Sequence, residues 1–397
     1  MATANIAPPP ATNIPVEATL PNVSSMEFSV DRNQLLNEVT VAVRAADAKS
    51  TQPLLSHLLL RATGSSVLSI RASDLNRTIT TECPASVKII GEAAIPAQKL
   101  LHYLKLLPEG RVNMKLLSNQ QLQITAGHSR TKMSGLAPNS FPAAPVPPAT
   151  VTQLSSRGLK TLIRQSLFAV ASSEDRYLFN AGLLLLREDR MGMVATDGRR
   201  LSLVEVQEHS LAIEGFRKVL LPREGLGDLL TLLGASKEEA ADFSEDDTTF
   251  YFRTGHRMLS VRKLIGQFPN YEAILPRDLV NSVVIGAADL MGAVQRVLEF
   301  SDEKSSAVKL VLGNNSLTVS ASAADKGESN EVLPLDYKAE PVSIGFNGHF
   351  IVEFLKTIGG GGEVRMSLKD STSAAVLTPE AFNPEYQQKY VVMPMRV

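Results

Sequence analysis

Three kinds of marker recur along this chain at a spacing of about 125 residues, and that periodicity constrains the fold more than any single motif. The first marker is an amphipathic stripe. Leu35, Val39, Ala42, Val43 and Ala46 fall at i, i+4, i+7, i+8 and i+11; Leu159, Leu162, Ile163, Leu167 and Val170, then Leu290, Val294, Val297 and Leu298, repeat the pattern. Leu35 to Leu159 is 124 residues, and Leu159 to Leu290 is 131. The second marker is a further helix in each repeat, opening at Pro96, Pro222 and Asn347, which are 126 and 125 residues apart. Proline is pre-set for a first helical turn, and Gly110, Gly234 and Gly359 are placed to stop these helices. The third marker is Phe-Pro at 141–142 and again at 268–269, 127 residues later.

Between the helices the chain reads as short strands and hairpins. In residues 183–206, Glu188-Asp189-Arg190 and Asp197-Gly198-Arg199 are turn signals, and Asp-Gly is a strong one. Each repeat is therefore α+β, with two helices packed on antiparallel sheet. The 397 residues allow two to four domains at about 100–200 residues each, and the repeat makes it three. We expect them over residues 26–146, 151–276 and 280–397, joined by the proline-containing connectors 144–152 and 273–281. Residues 1–25 carry five prolines and one charge, Glu17, with neither a basic start nor a continuous apolar stretch. That composition predicts a disordered Pro/Ala-rich tail rather than a secretory signal.

Forty Lys+Arg against 41 Asp+Glu give a net charge of −1, which argues against a tight, purely electrostatic nucleic-acid binder. It does not exclude one that holds DNA by shape. The single cysteine, Cys83, excludes an internal disulfide framework and a Cys-based zinc site, and fits a reducing cytoplasm. No apolar run reaches the roughly 18 residues of a membrane span. The six histidines form no pair at metal-ligand spacing. No G-x-S-x-G elbow occurs, and the glycine run 359–362 lacks the Lys-Ser/Thr of a phosphate-binding loop. Glu238-Glu239 and residues 245–247 read as solvated acidic loops. No catalytic residue, metal or cofactor is expected, and an assembly or binding role suits three near-equal modules.

The segments ATDGRRLSLVEV (195–206), FPNYEAILP (268–276), FNGHFIVEFL (346–355) and YVVMPMRV (390–397) resemble the bacterial sliding clamp family, the beta subunits of DNA polymerase III. KSTQPLLSHLLL (49–60) and EDRYLFNAG (174–182) match the family's first and second modules. The resemblance implies the DNA clamp fold, with two chains closing head to tail into a ring around duplex DNA, helices lining the hole and sheets forming the rim. Such a contact is heterologous and closes after two chains. It implies a non-catalytic, cytoplasmic processivity factor that partners the replicative DNA polymerase catalytic subunit, a clamp loader, repair polymerases, ligase and mismatch-repair proteins, and no membrane. A three-module interaction scaffold without DNA encirclement and a multidomain enzyme are the rival readings.

The resemblance places Lys49, Lys99, Lys105, Arg176, Tyr177 and Arg223 on the DNA side. Arg157, Lys160 and Arg164 join them from helical spacing, at i, i+3 and i+7 on one side of a helix that Ser155 or Ser156 would cap. The basic residues of the third module, Arg296, Lys304 and Lys356, are offset by Asp289, Glu299, Asp302, Glu303 and Glu353. At the ring seam the resemblance puts Glu299 and Phe300 against Thr131 and Met133, with Phe300 and Met133 expected to carry the apolar contact. It also implies a groove for partner peptides between the second and third modules. Phe179, Thr196, Gly198, Arg199, Arg200, Leu201, Pro269 and Ile274 come from the second module. Phe350, Ala374, Val391, Met393, Pro394, Met395 and Arg396 come from the third. Leu201, Ile274, Val391 and Met393 would form the apolar well, flanked by Arg200 and Arg396.

Overall fold

The computed structural model describes residues 25–172, 179–208, 211, 213, 215–359, 361–381, 383 and 385–397. In chain order, the first third gives β1 (Met26–Asp31), α1 (Arg32–Ala42), β2 (His57–Thr63), β3 (Val67–Ser73), β4 (Arg77–Ile89), β5 (Gly91–Pro96), α2 (Ala97–Leu106), β6 (Arg111–Leu116), β7 (Gln121–Ala126) and β8 (Ser129–Ser134). The middle third gives β9 (Thr152–Ser155), α3 (Ser156–Ser166), β10 (Ala181–Arg187), β11 (Arg190–Thr196), β12 (Arg200–Gln207), β13 (Arg217–Pro222), α4 (Arg223–Ala235), β14 (Ala240–Glu245), β15 (Thr249–Thr254) and β16 (Arg257–Arg262). The last third gives β17 (Asn281–Gly286), α5 (Ala287–Leu298), β18 (Ala307–Gly313), β19 (Ser316–Ala323), β20 (Gly327–Pro334), β21 (Val342–Asn347), α6 (Gly348–Ile358), β22 (Glu363–Leu368), β23 (Ala375–Pro379) and β24 (Gln387–Val392). Each third thus carries two helices that pack on each other and on antiparallel strands, as the repeat predicts.

Helix starts follow local chemistry. The Asp31 carboxylate accepts from the amides of Asn33 and Gln34 at 3.0 Å, Ser155 Oγ accepts from Gly158 N at 3.1 Å, and Asn347 Oδ1 accepts from His349 N at 3.0 Å. Pro96 and Pro222 stand one residue before their helices, at the cap position, in extended conformation. The stops depart from expectation in two of three cases. Gly359 does end α6, at φ +83. By contrast, α2 ends at Leu106, four residues before Gly110, because Leu107 precedes Pro108 and is pushed out of the helical region to ψ 148. Helix α4 runs through Gly234 and ends at Ala235, whose carbonyl accepts from Arg257 Nη1 at 2.8 Å.

The chain divides into two compact units, one holding residues through Arg71 together with Glu82–Phe141, the other holding Ala72–Thr81 with Pro142–Val397. In the first unit β8, β7, β6 and β1 lie side by side, with β8 at the edge. The second unit contains two of the three repeats. They merge because β12 pairs antiparallel with β24 from Arg200↔Val392 to Glu205↔Gln387, so the order β13-β10-β11-β12-β24-β23-β22-β17 forms one eight-stranded sheet. A four-stranded sheet, β20-β19-β18-β21, completes the third repeat. Residues 77–81 pair with β16 in this second unit, where Arg77 bonds Asp228 of α4 at 2.7 Å and Asp74 at 2.5 Å.

Strand alternation sends neighbouring residues of β24 into different cores. Tyr390 and Val392 enter the core beneath α5 and α6, and Val391 enters a separate cluster with Leu183, Val194 and Leu201. Tyr390 is fully buried; its ring stacks on Phe354 at 4.8 Å and tilts against Phe168 at 5.5 Å, and its hydroxyl donates to Phe350 O at 3.0 Å. Replacing Tyr390 by Phe removes only that hydrogen bond and should cost about 1 kcal/mol. Tyr390→Ala opens a large cavity and should cost about 3–5 kcal/mol in denaturant unfolding.

Candidate functional site

The junction of β12 with β24 carries most of the residues expected at a groove, and it sorts them onto two faces. Leu201 and Val391 are cross-strand partners, each 1% exposed, and Val391 also pairs with Val376 of β23. With Leu183, Val194 and Tyr271 they make an apolar floor on which Ala374, Phe268 and Leu275 pack partly buried. The neighbours of this floor in sequence are open: Ile274 is 38% and Met393 44% exposed. A closed apolar floor with an exposed apolar rim suits an apolar side chain of a ligand. The Thr196 hydroxyl donates to Arg200 O at 2.6 Å and accepts from Gly198 N at 3.1 Å, which shapes the turn beside the floor. Gly198 sits at φ +85, a backbone state that favours glycine.

Arg200 is not a charged flank of this well. It is 8% exposed and points to the opposite face, among the helices. Its Nε donates to Asp197 at 2.9 Å, its Nη1 to Glu353 and its Nη2 to Phe168 O at 2.7 Å, and its guanidinium lies 4.3 Å from the Phe350 ring centroid. Burial alone would lower its pKa; Tyr390, Glu353 and Asp197 outweigh that and hold it above the ordinary arginine value. Phe350, also expected in the groove, packs against the helical core with Arg200 rather than with Leu201. Arg396 is exposed, so the flanking role remains with one of the two expected arginines.

The end of the chain is held by its backbone. Met393 N donates to Arg199 O at 2.9 Å and Met395 N to Gly345 O at 2.8 Å, with Pro394 between them. Strand β24 ends at Val392, which agrees with a proline confined to irregular backbone. Pro269 follows Phe268 in the loop that leads to Tyr271, and the carbonyl of Phe179 accepts from Ala171 N at 3.0 Å.

The cations expected to face DNA divide into exposed and engaged. Lys49, Lys99 and Lys105 are exposed in the first unit, where Arg32 caps the Leu104 and Lys105 carbonyls and fixes the end of α2. On α3, Arg164 is exposed and Lys160 half-buried, while Arg157 pairs with Glu385. Arg223 Nη1 donates to Leu167 O at 3.0 Å and Val170 O at 2.5 Å, so its guanidinium caps a neighbouring turn. Arg176 and Tyr177 lie outside the described residues.

At the expected seam, Glu299 and Phe300 are exposed at the end of α5. The Thr131 hydroxyl accepts from Tyr103 at 2.7 Å. Met133 is 1% exposed and pairs with Leu122 inside the first unit's core. It therefore cannot be the apolar partner of Phe300: strand alternation turns it inward. Cys83 is buried as well; desolvation, with Glu38 and Asp31, pushes its thiol up to about 12 and leaves it an inert packing group. Among the described residues no group of three or more His, Cys, Asp or Glu could hold a metal ion, and no helix is long and apolar enough to cross a membrane.

Sequence reasoning missed Val376, Tyr271, Leu183 and Val194 as floor residues, and Glu353 and Phe168 as partners of Arg200. The register of β24 on β12 is the missing signal, because it decides which residues share a face. Arg200→Ala should destabilise the second unit by about 1.5–3 kcal/mol through lost charged hydrogen bonds, whereas Arg396→Ala should change thermal unfolding by less than about 0.5 kcal/mol.

Comparison with known proteins covers the same span. Family models of the DNA polymerase III beta subunit match in three pieces: the N-terminal domain over residues 26–145, the central domain over 153–270 and the C-terminal domain over 272–396. The beta sliding clamp of Pseudomonas putida is 31% identical over 377 residues and that of Caulobacter vibrioides 30% identical over 385, each covering 94% of this chain and all of the relative. Among solved structures, sliding clamps from Pseudomonas aeruginosa and Bartonella birtlesii, both bound to griselimycin, align with TM-scores of 0.84 and 0.86 at 29% and 25% identity. Each alignment covers 94% of this chain and 100% of that one.

Proposed function

The chain belongs to the DNA polymerase III beta subunit family, the bacterial sliding clamps, and from that premise we propose how it works. It is a non-catalytic, cytoplasmic processivity factor: two copies close head to tail around duplex DNA and tether the replicative polymerase. A clamp loader, repair polymerases, ligase and mismatch-repair proteins use the same groove. The observation that carries the tethering role is the buried Leu201–Val391 pair with its exposed rim of Ile274 and Met393. A scaffold without DNA is not favoured, since all three family domains are matched in order.

Two free strand edges support closure. In the first unit β8 is an edge strand carrying exposed Arg130 and Lys132. In the third repeat β20 is an edge strand with exposed Glu328 and Val332, while Glu331 on the same strand pairs with Arg296. Like edges repel and unlike edges attract, so pairing β8 with β20 of a second copy selects the head-to-tail arrangement. Phe300 and Glu299 would lie near this seam with Thr131, and the apolar contact rests on residues other than Met133. Arg130→Glu with Lys132→Glu should weaken the dimer at least tenfold in light scattering, and Glu328→Lys should partly restore it. A wild-type protein that stays at the 42.9 kDa chain mass at micromolar concentration would contradict the ring.

On the DNA side, Lys49, Lys99, Lys105, Lys160 and Arg164 serve as mobile phosphate contacts rather than base readers. Arg157 and Arg223, held by Glu385 and by backbone carbonyls, position their helices as much as they touch phosphate. A short partner peptide would place a leucine or phenylalanine on the Leu201–Val391 floor, with Arg396 beside it. Deleting residues 393–397 should reduce affinity for a short fluorescent peptide ending in Leu-Phe more than tenfold while the dimer persists; unchanged affinity would overturn the groove.

A further inference from the structure

Gly345 is not among the residues expected at the groove, yet it meets Met395 and Val397, about 50 residues further along the chain. It sits in β21, the edge strand of the four-stranded sheet, and β21 pairs with β18 on one side only. Its free side takes Met395, whose amide donates to Gly345 O at 2.8 Å in an isolated antiparallel bridge. The approach is close. A Cβ built on Gly345 would stand 2.6 Å from Met395 O and 2.6 and 2.7 Å from the two Val397 methyl carbons. Real Cβ contacts do not occur at such distances, so any side chain at 345 must displace the tail.

We propose that Gly345 is a positioning residue for partner binding: by lacking a side chain it docks the tail, and the docked tail holds Met393 at the rim of the groove. The tail crosses from one sheet to the other. Met393 is tied to Arg199 of the second repeat and Met395 to Gly345 of the third, so the two bonds clamp Pro394 and fix the direction in which Met393 leaves β24. Losing the Gly345 bond leaves Met393 held by its bond to Arg199 alone. Met395 joins β21 only through an isolated bridge, and β21 keeps its pairing with β18 on the opposite edge. A clash at 345 therefore undocks the tail and leaves the domain folded.

This inference rests on the groove proposed above, and the test separates the two. In hydrogen exchange on the full-length wild-type dimer, the Met395 amide should be protected. In Gly345→Ala that protection should be lost, affinity for the Leu-Phe peptide should fall at least tenfold, and thermal unfolding and the dimer should be unchanged. In a chain ending at Pro394, Gly345→Ala should have no further effect on affinity, because the atoms it strikes are gone. An unprotected Met395 amide in the wild type, wild-type affinity in Gly345→Ala, a further loss in the truncated chain, or a Gly345→Ala chain that does not fold would each overturn the proposal. If deletion of 393–397 leaves peptide affinity unchanged, the groove reading fails instead, while Met395 protection still reports on docking.

Discussion

The pairing of β12 with β24 is the contact on which the rest of the candidate site depends. Six residue pairs, from Arg200↔Val392 to Glu205↔Gln387, make the last strand of the chain a structural part of the second repeat. Around this ladder, polar bonds within the second repeat and across the joint meet at one carbonyl. Ser202 Oγ and Gln388 Nε2 both donate to Gln165 O, at 2.9 and 2.8 Å, and Gln165 Nε2 reaches Thr357 O at 3.3 Å. Arg200 closes the same joint on the helical side through Glu353 and, within its own repeat, donates to Phe168 O. Two repeats thus behave as one unit, and their relative placement follows from strand register.

That register creates the apolar floor of the candidate site. A two-residue period sends Leu201 and Val391 to one face and Arg200, Tyr390 and Val392 to the other. The helical face is sealed by stacked aromatics; the other carries an apolar floor bordered by exposed Ile274 and Met393. A floor built from rigid strands with a flexible methionine at its rim suits the peptide groove proposed above.

Much of this was legible in the sequence. The repeat predicted three α+β domains with two helices each, because helical periodicity and capping residues are local properties. The Asp-Gly turn placed β11 and β12, and the family resemblance brought Leu201, Ile274, Val391 and Met393 together. What was not legible depends on partners far away in the chain. Arg200 looked like a free flanking charge until its position opposite Glu353, 153 residues on, turned it into a buried joint. Met133 looked available for a seam, but alternation along β8 turns it into the core. Gly234 looked like a helix stop, but Arg257 caps α4 one residue later. Gly345 carried no signal at all, since its meaning lies in the close approach of Met395.

The charges bear on the proposed ring. The chain is nearly neutral, and Arg77, Arg157, Arg200 and Arg223 are all committed to carboxylates or carbonyls within the fold. Of the cations expected to face DNA, Arg157 and Arg223 are engaged within the fold, and affinity from phosphate contacts by the others falls steeply with salt. In the proposed ring, retention comes from topology rather than from grip. The most direct measurement is the lifetime of loaded clamp on a nicked circular DNA before and after that DNA is cut once to a linear form. The account predicts long retention on the circle, little changed by added salt, and rapid loss over the free ends after cutting. Equal lifetimes on the two forms, or loss from the intact circle at moderate salt, would contradict it.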